Sequence, residues 1–283
     1  MTHDAFSPSN VAVVTGGASG IGLAAAQHFA GMGLKVCIAD LEGERLQAAA
    51  GELAAIARNG AADVLAVAAD VGTLDDVKRL EEAVLAAFGA VHVLMNNAGT
   101  QPGSEIFGPR DAWESILRVN LFGVIQGTQV FAPGMIARGE PGLIINTGSK
   151  QGITTPPGDP AYNVSKAGVK AFTEALQHDL RNRKDCRISA HLLIPGFVFT
   201  ALTARGRTEK PDAAWTPEQT VDFMMERLEH GDFYILCPDN EATRAIDERR
   251  ILWAAGDLVE NRPPLSRWHP DYQARFKAFL EGR

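Results

Sequence analysis

The sequence predicts an α/β protein in which a doubly wound parallel sheet carries helices on both faces. Short apolar runs rich in valine and isoleucine recur along the chain, and longer segments with helical periodicity separate them. Continuous apolar runs suit strands that are buried on both faces, as in a parallel sheet. The alternation of strand and helix then predicts crossover helices on both sides of that sheet.

The individual elements follow from these two patterns. Apolar runs predict strands at 11–15, 35–39, 64–69, 91–95, 143–146, 188–194 and 233–237. Apolar residues spaced i, i+3 and i+4 predict helices at 20–32, 42–58, 73–88, 111–138, 160–183 and 216–230. The sequence has no internal repeat of the kind that indicates a solenoid or a propeller.

One region inside the predicted sheet departs from the alternation. Residues 200–216 follow a strand, but they are polar and contain Gly206 and Pro211. Glycine and proline interrupt regular structure. We therefore expect a mobile flap that covers the substrate.

A second region follows the last strand. Helical periodicity at 241–260 and 268–280 flanks the breaker sequence NRPPLS. We predict a catalytic domain at 1–240 and a C-terminal helical extension at 241–283. The extension is expected to pack on the same domain or on a neighbouring subunit.

Charge and composition exclude several classes of protein. Of the 283 residues, 46% are hydrophobic and 22% are charged, which excludes a disordered or fibrous chain. The 27 basic and 34 acidic residues give a net charge of −7, with no basic run of the kind that binds nucleic acid. No signal-peptide pattern and no stretch near the ~18 apolar residues of a membrane span is found. We expect a cytoplasmic protein that binds neither nucleic acid nor membranes.

The cysteines give no sign of a disulfide or a metal site. Cys37, Cys186 and Cys237 are far apart and lack the CxxC spacing. Two of them lie inside apolar runs, where reduced core thiols are common. The histidines show no metal-ligand spacing either. We expect neither a disulfide nor a bound metal.

A glycine-rich turn joins the first predicted strand to the first helix. Gly16, Gly20 and Gly22 have the spacing GxxxGxG, with Ser19 and Ile21 between them. Glycines there let the backbone approach a pyrophosphate, whose charge meets the free N–H groups and the positive end of the helix. The alternative is a turn that serves packing alone, but the position after the first strand favours a dinucleotide site.

Asp40 ends the second predicted strand, where a dinucleotide fold places an acid against the hydroxyls of the adenosine ribose. A carboxylate at this point repels a 2′-phosphate. Neither Ser19 in the glycine turn nor Leu41 after the acid offers a basic group to NADP, so the sequence favours NAD as the cofactor. The alternative for Asp40 is an N-cap of the helix at 42–58.

Tyr162 and Lys166 lie one helical turn apart in the helix predicted at 160–183. Asp159 and Pro160 predict the start of that helix, as N-cap and first helical residue. An ammonium group beside a phenol favours the phenolate, and the helix N-terminus acts in the same direction. Such a tyrosine can exchange a proton with a substrate oxygen. The alternative is an ordinary i, i+4 pair on a helix surface.

Two further polar residues occur where a ligand would bind. Ser149 follows the fifth strand, at the edge where open α/β sheets hold ligands, and its hydroxyl suits a hydrogen bond to a reacting oxygen. Its alternative role is that of a helix cap or turn residue. Asn120 lies in a helical stretch that is apolar on nearly all sides. A buried amide needs partners, so it is either a structural bridge or part of a proton relay.

Together these residues resemble the motifs of the short-chain dehydrogenase/reductase family. The similarity runs from about Asn10 to Cys237. The matching motifs are TGxxxGIG at 15–22, NNAG at 96–99, the helix asparagine at 120, the serine at 149, YxxxK at 162–166 and PGxVxT at 195–200. Chance is a poor explanation for this many motifs in the order that the family has.

The resemblance implies a Rossmann-like fold and a tetrad of Asn120, Ser149, Tyr162 and Lys166. Tyr162 would be the general acid/base, and Ser149 would orient the substrate oxygen. Lys166 would hold the nicotinamide ribose and lower the tyrosine pKa, while Asn120 would anchor a water that continues the proton relay. The implied contacts to the cofactor come from Gly16, Ser19, Gly20, Ile21, Gly22, Asp40, Leu41, Asp70, Val71, Asn97, Ala98, Gly99, Tyr162, Lys166, Pro195, Gly196, Val198 and Thr200.

Two features depart from the family pattern. Gly148 stands where many members have a second serine, which leaves Ser149 as the candidate hydroxyl at that strand end. Cys237 to Asn240 replace the Asp-Gly-Gly that often follows the last strand, and the chain continues well beyond them. Knowledge of the family therefore transfers poorly to the C-terminus, to the substrate and to quaternary structure.

The sequence thus predicts an NAD-dependent oxidoreductase that interconverts a secondary alcohol and a ketone. Phe197, Phe199, Leu202, Trp215 and Met224 suggest an apolar or aromatic substrate, although core packing would explain them equally well. The resemblance implies a homodimer or homotetramer formed through the long helices. Two alternatives stay open: an NADPH-dependent carbonyl reductase of the same fold, and a non-catalytic protein that senses NAD(H).

Overall fold

A seven-stranded parallel sheet forms the centre of the protein. The computed structural model describes residues 3–204 and 206–282. The strands within these residues are β1 (Val11–Thr15), β2 (Lys35–Asp40), β3 (Val64–Ala68), β4 (Val93–Asn96), β5 (Gly142–Thr147), β6 (Ile188–Ile194) and β7 (Tyr234–Leu236). Their order is β3-β2-β1-β4-β5-β6-β7, and every neighbouring pair is parallel.

Helices connect successive strands and cover both faces of the sheet. They are α1 (Gly20–Gly31), α2 (Glu44–Ile56), α3 (Leu74–Phe88), α4 (Arg110–Leu117), α5 (Gly123–Arg138), α6 (Gln151–Thr154), α7 (Pro160–Asn182), α8 (Ala201–Ala204), α9 (Pro217–Glu229), α10 (Arg244–Val259) and α11 (Gln273–Glu281). This arrangement confirms the predicted Rossmann-like fold with a C-terminal helical extension.

Alternate residues of a strand face opposite sides of the sheet. In β1, Ala12 and Val14 join an apolar core that includes α1, α2 and α9. Val11 and Val13 join a second core with α3, α5 and α7. All four side chains are buried, so each strand needs apolar residues at consecutive positions. This explains the continuous apolar runs in the sequence.

The sheet grows in two directions from β1. The chain adds β2 and β3 on one side of β1 and then returns to place β4 to β7 on the other. The turns that leave β1 and β4 therefore diverge and open a crevice at the C-terminal edge of the sheet. The predicted cofactor and catalytic residues lie along this edge.

The helix predicted at 111–138 is interrupted. α4 ends at Leu117, residues Arg118–Phe122 form a π-helical turn, and α5 begins at Gly123. Asn120, which is fully buried, lies at the centre of this turn. π turns are rare and often occur at functional sites. Apolar periodicity does not reveal the turn, because the residues around it are apolar on nearly all sides.

The region predicted as a flap, 200–216, has more regular structure than expected. It contains the short helix α8 and returns to the sheet edge at Trp215. The backbone N–H of Trp215 donates to the Phe197 carbonyl, and the N–H of Phe199 donates to the Trp215 carbonyl, both at 2.9 Å. Arg205, which belongs to the predicted flap, lies outside the described residues.

The C-terminal extension consists of α10, two short 3₁₀ turns and α11. Trp253 of α10 is only 4% exposed, and its ring centre lies 5.3 Å from those of Phe276 and Phe279 in α11. α10 also packs against α6, which directly follows β5. No helix in the described part of the chain is both long and apolar enough to cross a membrane.

Candidate active site

The glycine turn after β1 packs too closely for side chains. Gly16 and Gly20 have positive φ angles of 64° and 54°. A Cβ on Gly22 would lie 2.1 Å from the carbonyl oxygen of Gly16, and one on Gly16 would lie 2.8 Å from Ala98 Cα. These positions therefore require glycine. Within the described residues the Ser19 side chain caps none of the first N–H groups of α1, so these groups stay available to an anion.

Asp40 stands at the end of β2, beside that turn. Its carboxylate accepts hydrogen bonds from the backbone N–H groups of Ala18 (3.0 Å) and Leu41 (2.8 Å). Helix α2 begins at Glu44, with Gly43 in the cap position. Asp40 is therefore not an N-cap of α2. Its carboxylate is fixed at the edge of the crevice, where a dinucleotide fold has an acid for the ribose hydroxyls.

Helix α7 begins at Pro160, as predicted, but its cap comes from elsewhere in the chain. Among the described residues the Asp159 side chain makes no capping bond. Instead, the Ser104 hydroxyl accepts from the N–H of Ala161 (2.9 Å). Asp159 accepts hydrogen bonds from Ser104 (2.5 Å) and Gln101 (3.1 Å). Asp159 thus occupies the predicted N-cap position, but its side chain holds the loop that supplies the capping hydroxyl.

Tyr162 and Lys166 are buried on one face of α7, with 8% and 4% of their surface exposed. The Lys166 ammonium donates a hydrogen bond to the carbonyl oxygen of Thr147, at the end of β5 (2.8 Å). It lies 5.8 Å from the centre of the Tyr162 ring. The pair is therefore held inside the crevice and is not the surface pair of the alternative interpretation.

Burial dominates the electrostatics of this pair. It raises the pKa of Tyr162 to about 12, although a hydrogen bond from Ser149 acts to lower it; the charge of Asp159 raises it further. Burial also lowers the pKa of Lys166 to about 8. The implied lowering of the tyrosine pKa therefore does not occur in this structure. The reason is that the phenol loses its hydration while the Lys166 ammonium is directed at Thr147. At neutral pH Tyr162 is a neutral phenol.

Ser149 and Asn120 have different settings. The Ser149 hydroxyl accepts a hydrogen bond from the N–H of Gln151 (3.1 Å), so this residue shapes the turn into α6 while facing the crevice. Asn120 accepts from the N–H of Thr100 (2.7 Å) and donates to its carbonyl (2.9 Å). It also donates to the Ser165 hydroxyl (3.3 Å). These bonds make Asn120 a bridge between the π turn and the strand β4 exit.

One cavity of about 480 Å³ unites the predicted residues. It runs from the glycine turn and Asp40 to Tyr162. The predicted residues in its wall are Gly16, Ser19, Gly20, Ile21, Asp40, Leu41, Asp70, Val71, Asn97, Ala98, Gly99, Ser149, Tyr162, Lys166, Pro195, Gly196, Val198 and Thr200. Gly22 and Asn120 lie behind this wall and support it.

The family model described as short chain dehydrogenase matches residues 10–211. The chain belongs to this family. It is therefore an oxidoreductase of the short-chain dehydrogenase type, whose members act on hydroxyl and keto groups.

The relatives of this dehydrogenase described next cover from 72% to 92% of its chain. It is 32% identical over 269 residues to 1-deoxy-11-beta-hydroxypentalenate dehydrogenase of Streptomyces exfoliatus, covering 92% of this chain and 94% of the relative. It is 34% identical over 209 residues to 2-(R)-hydroxypropyl-CoM dehydrogenase of Xanthobacter autotrophicus, covering 72% and 80%. A short chain dehydrogenase/reductase from Burkholderia phymatum, solved in complex with NAD, superimposes with a TM-score of 0.80 at 31% identity and covers 91% of this chain and 96% of that chain.

The structure adds basic residues that sequence reasoning missed in the cavity of this dehydrogenase. Arg45, exposed in the first turn of α2, and Arg118, in the π turn, both line the wall. Arg118 forms an ion pair with Asp70 at 2.5 Å. The cavity therefore has basic residues, although Ser19 and Leu41 provide none. The position of Arg45 soon after Asp40 was a usable signal, whereas that of Arg118 depends on the π turn.

A buried ion-pair cluster in this dehydrogenase lies next to Ser149. The Lys150 ammonium contacts Asp239 (3.0 Å), which follows β7, and Asp247 (2.5 Å) of α10. Asp239 also accepts a hydrogen bond from the N–H of Phe197 (3.2 Å). The cluster thus joins the ends of β5, β6 and β7 to the C-terminal extension. We call these three charged residues the lysine cluster.

The residues expected to form an apolar substrate pocket are distributed differently. Only Leu202 of that set lies in the cavity wall. Met224 is buried in a core cluster, and Trp215 packs against the ring of Phe223 at 5.8 Å. Core packing therefore explains most of them.

Proposed function

We propose that this dehydrogenase uses NAD to interconvert a secondary alcohol and a ketone. The observation that carries the proposal is the single cavity that joins the glycine turn and Asp40 to Ser149, Tyr162 and Lys166. Its volume lies in the range of small-molecule sites. The residues fit a dinucleotide, because the turn leaves no room for a Cβ and, within the described residues, the Ser19 side chain caps none of the first N–H groups of α1.

Each end of the cavity has a task toward the cofactor. The glycine turn and the N-terminus of α1 bind the pyrophosphate, and Asp40 accepts hydrogen bonds from the adenosine ribose. Lys166 and Asn97 hold the other ribose. When bound, NAD supplies the hydride acceptor of the reaction. The chain itself holds the reactants close and controls one proton.

Tyr162 controls that proton. As a neutral phenol it is ready to donate to the oxygen of a ketone, with Ser149 holding the same oxygen by a hydrogen bond. In the opposite direction Tyr162 must first lose its proton before it can accept one from an alcohol. The charged Lys166 stabilises the phenolate that forms.

Replacement of the tyrosine tests this role. Tyr162→Phe should lower kcat by about 10²–10⁴-fold, because the proton donor is lost, and should retain NADH binding. The matched control is Tyr234→Phe, since Tyr234 is exposed on β7 and donates to Glu174 away from the cavity. A near-normal kcat for Tyr162→Phe would refute the assignment. Binding of NADH without turnover of any alcohol or ketone by the parent protein would favour the sensor hypothesis.

The pH dependence gives a second test. Burial lowers the pKa of Lys166 to about 8, so its charge is lost as the pH rises through that value. The kcat/KM for ketone reduction should fall above about pH 8. The kcat/KM for alcohol oxidation should instead rise with pH up to about 8, because Tyr162 has a pKa of about 12 and must lose a proton first. Above that pH the rise should level off, because uncharged Lys166 no longer stabilises the phenolate. Parallel profiles in the two directions would contradict this account.

Arg45 favours a second candidate, an NADPH-dependent reductase of the same fold. Its guanidinium lines the same cavity as Asp40 and could pair with a 2′-phosphate. We expect the parent protein to prefer NAD, and Asp40→Ala to narrow that preference. Arg45→Gln should reduce activity with NADP while leaving activity with NAD unchanged. A parent protein that prefers NADPH would overturn the NAD proposal.

The substrate and the quaternary structure are also proposals. Leu202 supports an apolar or aromatic substrate, which a panel of steroid, aryl and aliphatic alcohols would test. Phe122 and Val164 are about half exposed on the π turn and α7, and they support a homodimer or homotetramer formed through these helices. Light scattering of the parent protein and of Val164→Asp would test that contact.

A further inference from the structure

A second cavity, of about 660 Å³, lies between α6, α7 and the C-terminal extension. It shares no residue with the wall of the catalytic cavity. Its volume is that of an ordinary ligand site. The larger apolar side chains in its wall are those of Ile153, Ile251, Trp253, Leu258, Leu265 and Trp268.

Four basic side chains also line this cavity, and two of them have their own carboxylates. Lys170 pairs with Glu174 at 2.8 Å. Arg262 pairs with Asp257 at 3.0 Å. These two cations are locally neutralised.

The other two basic side chains, Arg250 and Arg267, are less well neutralised. Arg250 reaches Asp247 only at 3.4 Å, and its Nε is buried without a hydrogen-bond partner in the described part of the chain. Arg267 has no carboxylate within ion-pair distance among residues 3–204 and 206–282; its guanidinium lies 4.7 Å from the Trp268 ring centre and 5.2 Å from that of Phe276. Burial, and then the charge of Arg250, lower the pKa of Arg267, although the charge of Asp247 acts to raise it.

The charged side chains of the lysine cluster and the neighbouring Arg250 and Arg267 do not balance. Lys150, Arg250 and Arg267 supply three positive charges, and Asp239 and Asp247 supply two negative charges. Asp247 cannot balance Arg250 fully, because it already contacts the Lys150 ammonium at 2.5 Å. A partly buried cation without a carboxylate partner is costly. One further negative charge would balance the group.

We propose that this second cavity binds a small monoanion with a flat apolar body, and specifically an aromatic carboxylate. The carboxylate pairs with Arg267 beside Arg250, where a guanidinium offers two parallel N–H donors. The aromatic body lies against Trp268 and Leu265. The site is separate from the dehydrogenase reaction, so it can be tested without turnover.

The experiment compares two probes that differ in charge alone. Calorimetric titration of the full-length protein with 2-naphthoate should show one site, and 2-naphthamide should bind at least about tenfold more weakly, because a charge-assisted hydrogen bond is lost. The titration is carried out with saturating NADH to fill the cofactor part of the catalytic cavity. Equal binding of acid and amide would overturn the proposal.

Variants then locate the site. Arg267→Gln should weaken 2-naphthoate binding about tenfold. Arg244→Gln should leave it unchanged, since Arg244 is exposed on α10, pairs with Glu248 and lies outside the cavity. Unchanged binding in Arg267→Gln would place the probe elsewhere and overturn the proposal.

A second pair of variants tests the same site independently, in case Arg267→Gln does not fold. Ala255 lines the cavity and is exposed, so a longer side chain there can be accommodated. Ala255→Glu supplies an internal carboxylate and should abolish 2-naphthoate binding, whereas the isosteric Ala255→Gln should retain it. Loss of 2-naphthoate binding in both variants would show that the cavity serves packing. A dimer that dissociates in Arg267→Gln but is unaffected by 2-naphthoate would show that the cavity is a subunit contact. Either outcome would overturn the proposal.

Discussion

The two ends of the catalytic cavity are held by different forces. At the β1 end, the glycine turn packs backbone against backbone, and a Cβ on Gly22 would lie 2.1 Å from the Gly16 carbonyl oxygen. At the β5 end, the lysine cluster joins Lys150 to Asp239 and Asp247. The first end is sensitive to volume and the second to charge. Adding a methyl group to the glycine turn therefore tests the first end, and removing a charge from the lysine cluster tests the second.

The largest effect should come from adding a methyl group to the glycine turn. Gly22→Ala places a Cβ against the Gly16 carbonyl and the Asn97 side chain, which must both move. Overpacking of this kind typically costs about 1–3 kcal/mol and here exceeds that range, because one neighbour is backbone. We expect the loss of measurable NADH binding and a lower free energy of unfolding in urea.

The matched control is another helical glycine. Within the described residues a Cβ on Gly51, in α2, would have nothing within 4 Å. Gly51→Ala should therefore raise stability by about 0.5–1 kcal/mol, because alanine favours the helix. Normal NADH affinity in Gly22→Ala would show that the turn can relax and would remove the proposed distinction between the two ends.

The lysine cluster should respond to loss of charge. Lys150→Met removes the ammonium from two carboxylates whose side chains are only 10% and 5% exposed. Asp239 then has lost its cation, and Asp247 keeps only the longer contact to Arg250 at 3.4 Å. Removing one partner of a buried ion pair costs about 3–5 kcal/mol, and the slight exposure of Lys150 favours the lower value. The free energy of unfolding in urea measures this loss.

A surface ion pair provides the comparison for that variant. Lys170→Met removes the partner of Glu174, and both side chains are about one third exposed. Its cost should be at most about 1 kcal/mol. Equal losses of unfolding free energy for Lys150→Met and Lys170→Met would mean that the lysine cluster contributes no more to stability than a surface ion pair.

The same contrast explains what the sequence could predict. The glycine turn, Asp40 and the Tyr162–Lys166 spacing are local patterns, so they are readable from a few neighbouring residues. The lysine cluster joins Lys150 to residues about 90 positions away, on elements whose packing no local pattern specifies.

Burial was equally hidden from the sequence. A lysine beside a tyrosine predicts a low phenol pKa in water, but both groups are buried here, and desolvation reverses the direction. Asn120 was recognised as buried and polar, yet its π turn and its bonds to Thr100 depend on how α4 meets the exit of β4. Local patterns thus located the site, whereas its electrostatics required the fold.

The smallest predicted effect is a change with pH in the cost of Lys150→Met. In the parent protein burial alone would raise the pKa of Asp239, but hydrogen bonds and charge from Lys150, with backbone N–H bonds, outweigh it and lower this pKa below its usual value. That contribution to stability is present above the unfolded pKa and is lost as the pH falls through the lower folded value.

In Lys150→Met the pKa of Asp239 should be higher than in the parent protein, because burial then acts without the opposing ammonium. As the pH falls, Asp239 therefore becomes protonated in the variant first, and the variant regains stability there before the parent protein loses it. The difference in unfolding free energy between parent and variant should therefore be largest near pH 7 and should narrow as the pH falls toward 4. The difference caused by Gly22→Ala should stay constant over the same range, because no titratable group is added or removed. A constant difference for Lys150→Met as well would show that the methionine disturbs packing and that charge does not hold this end of the cavity.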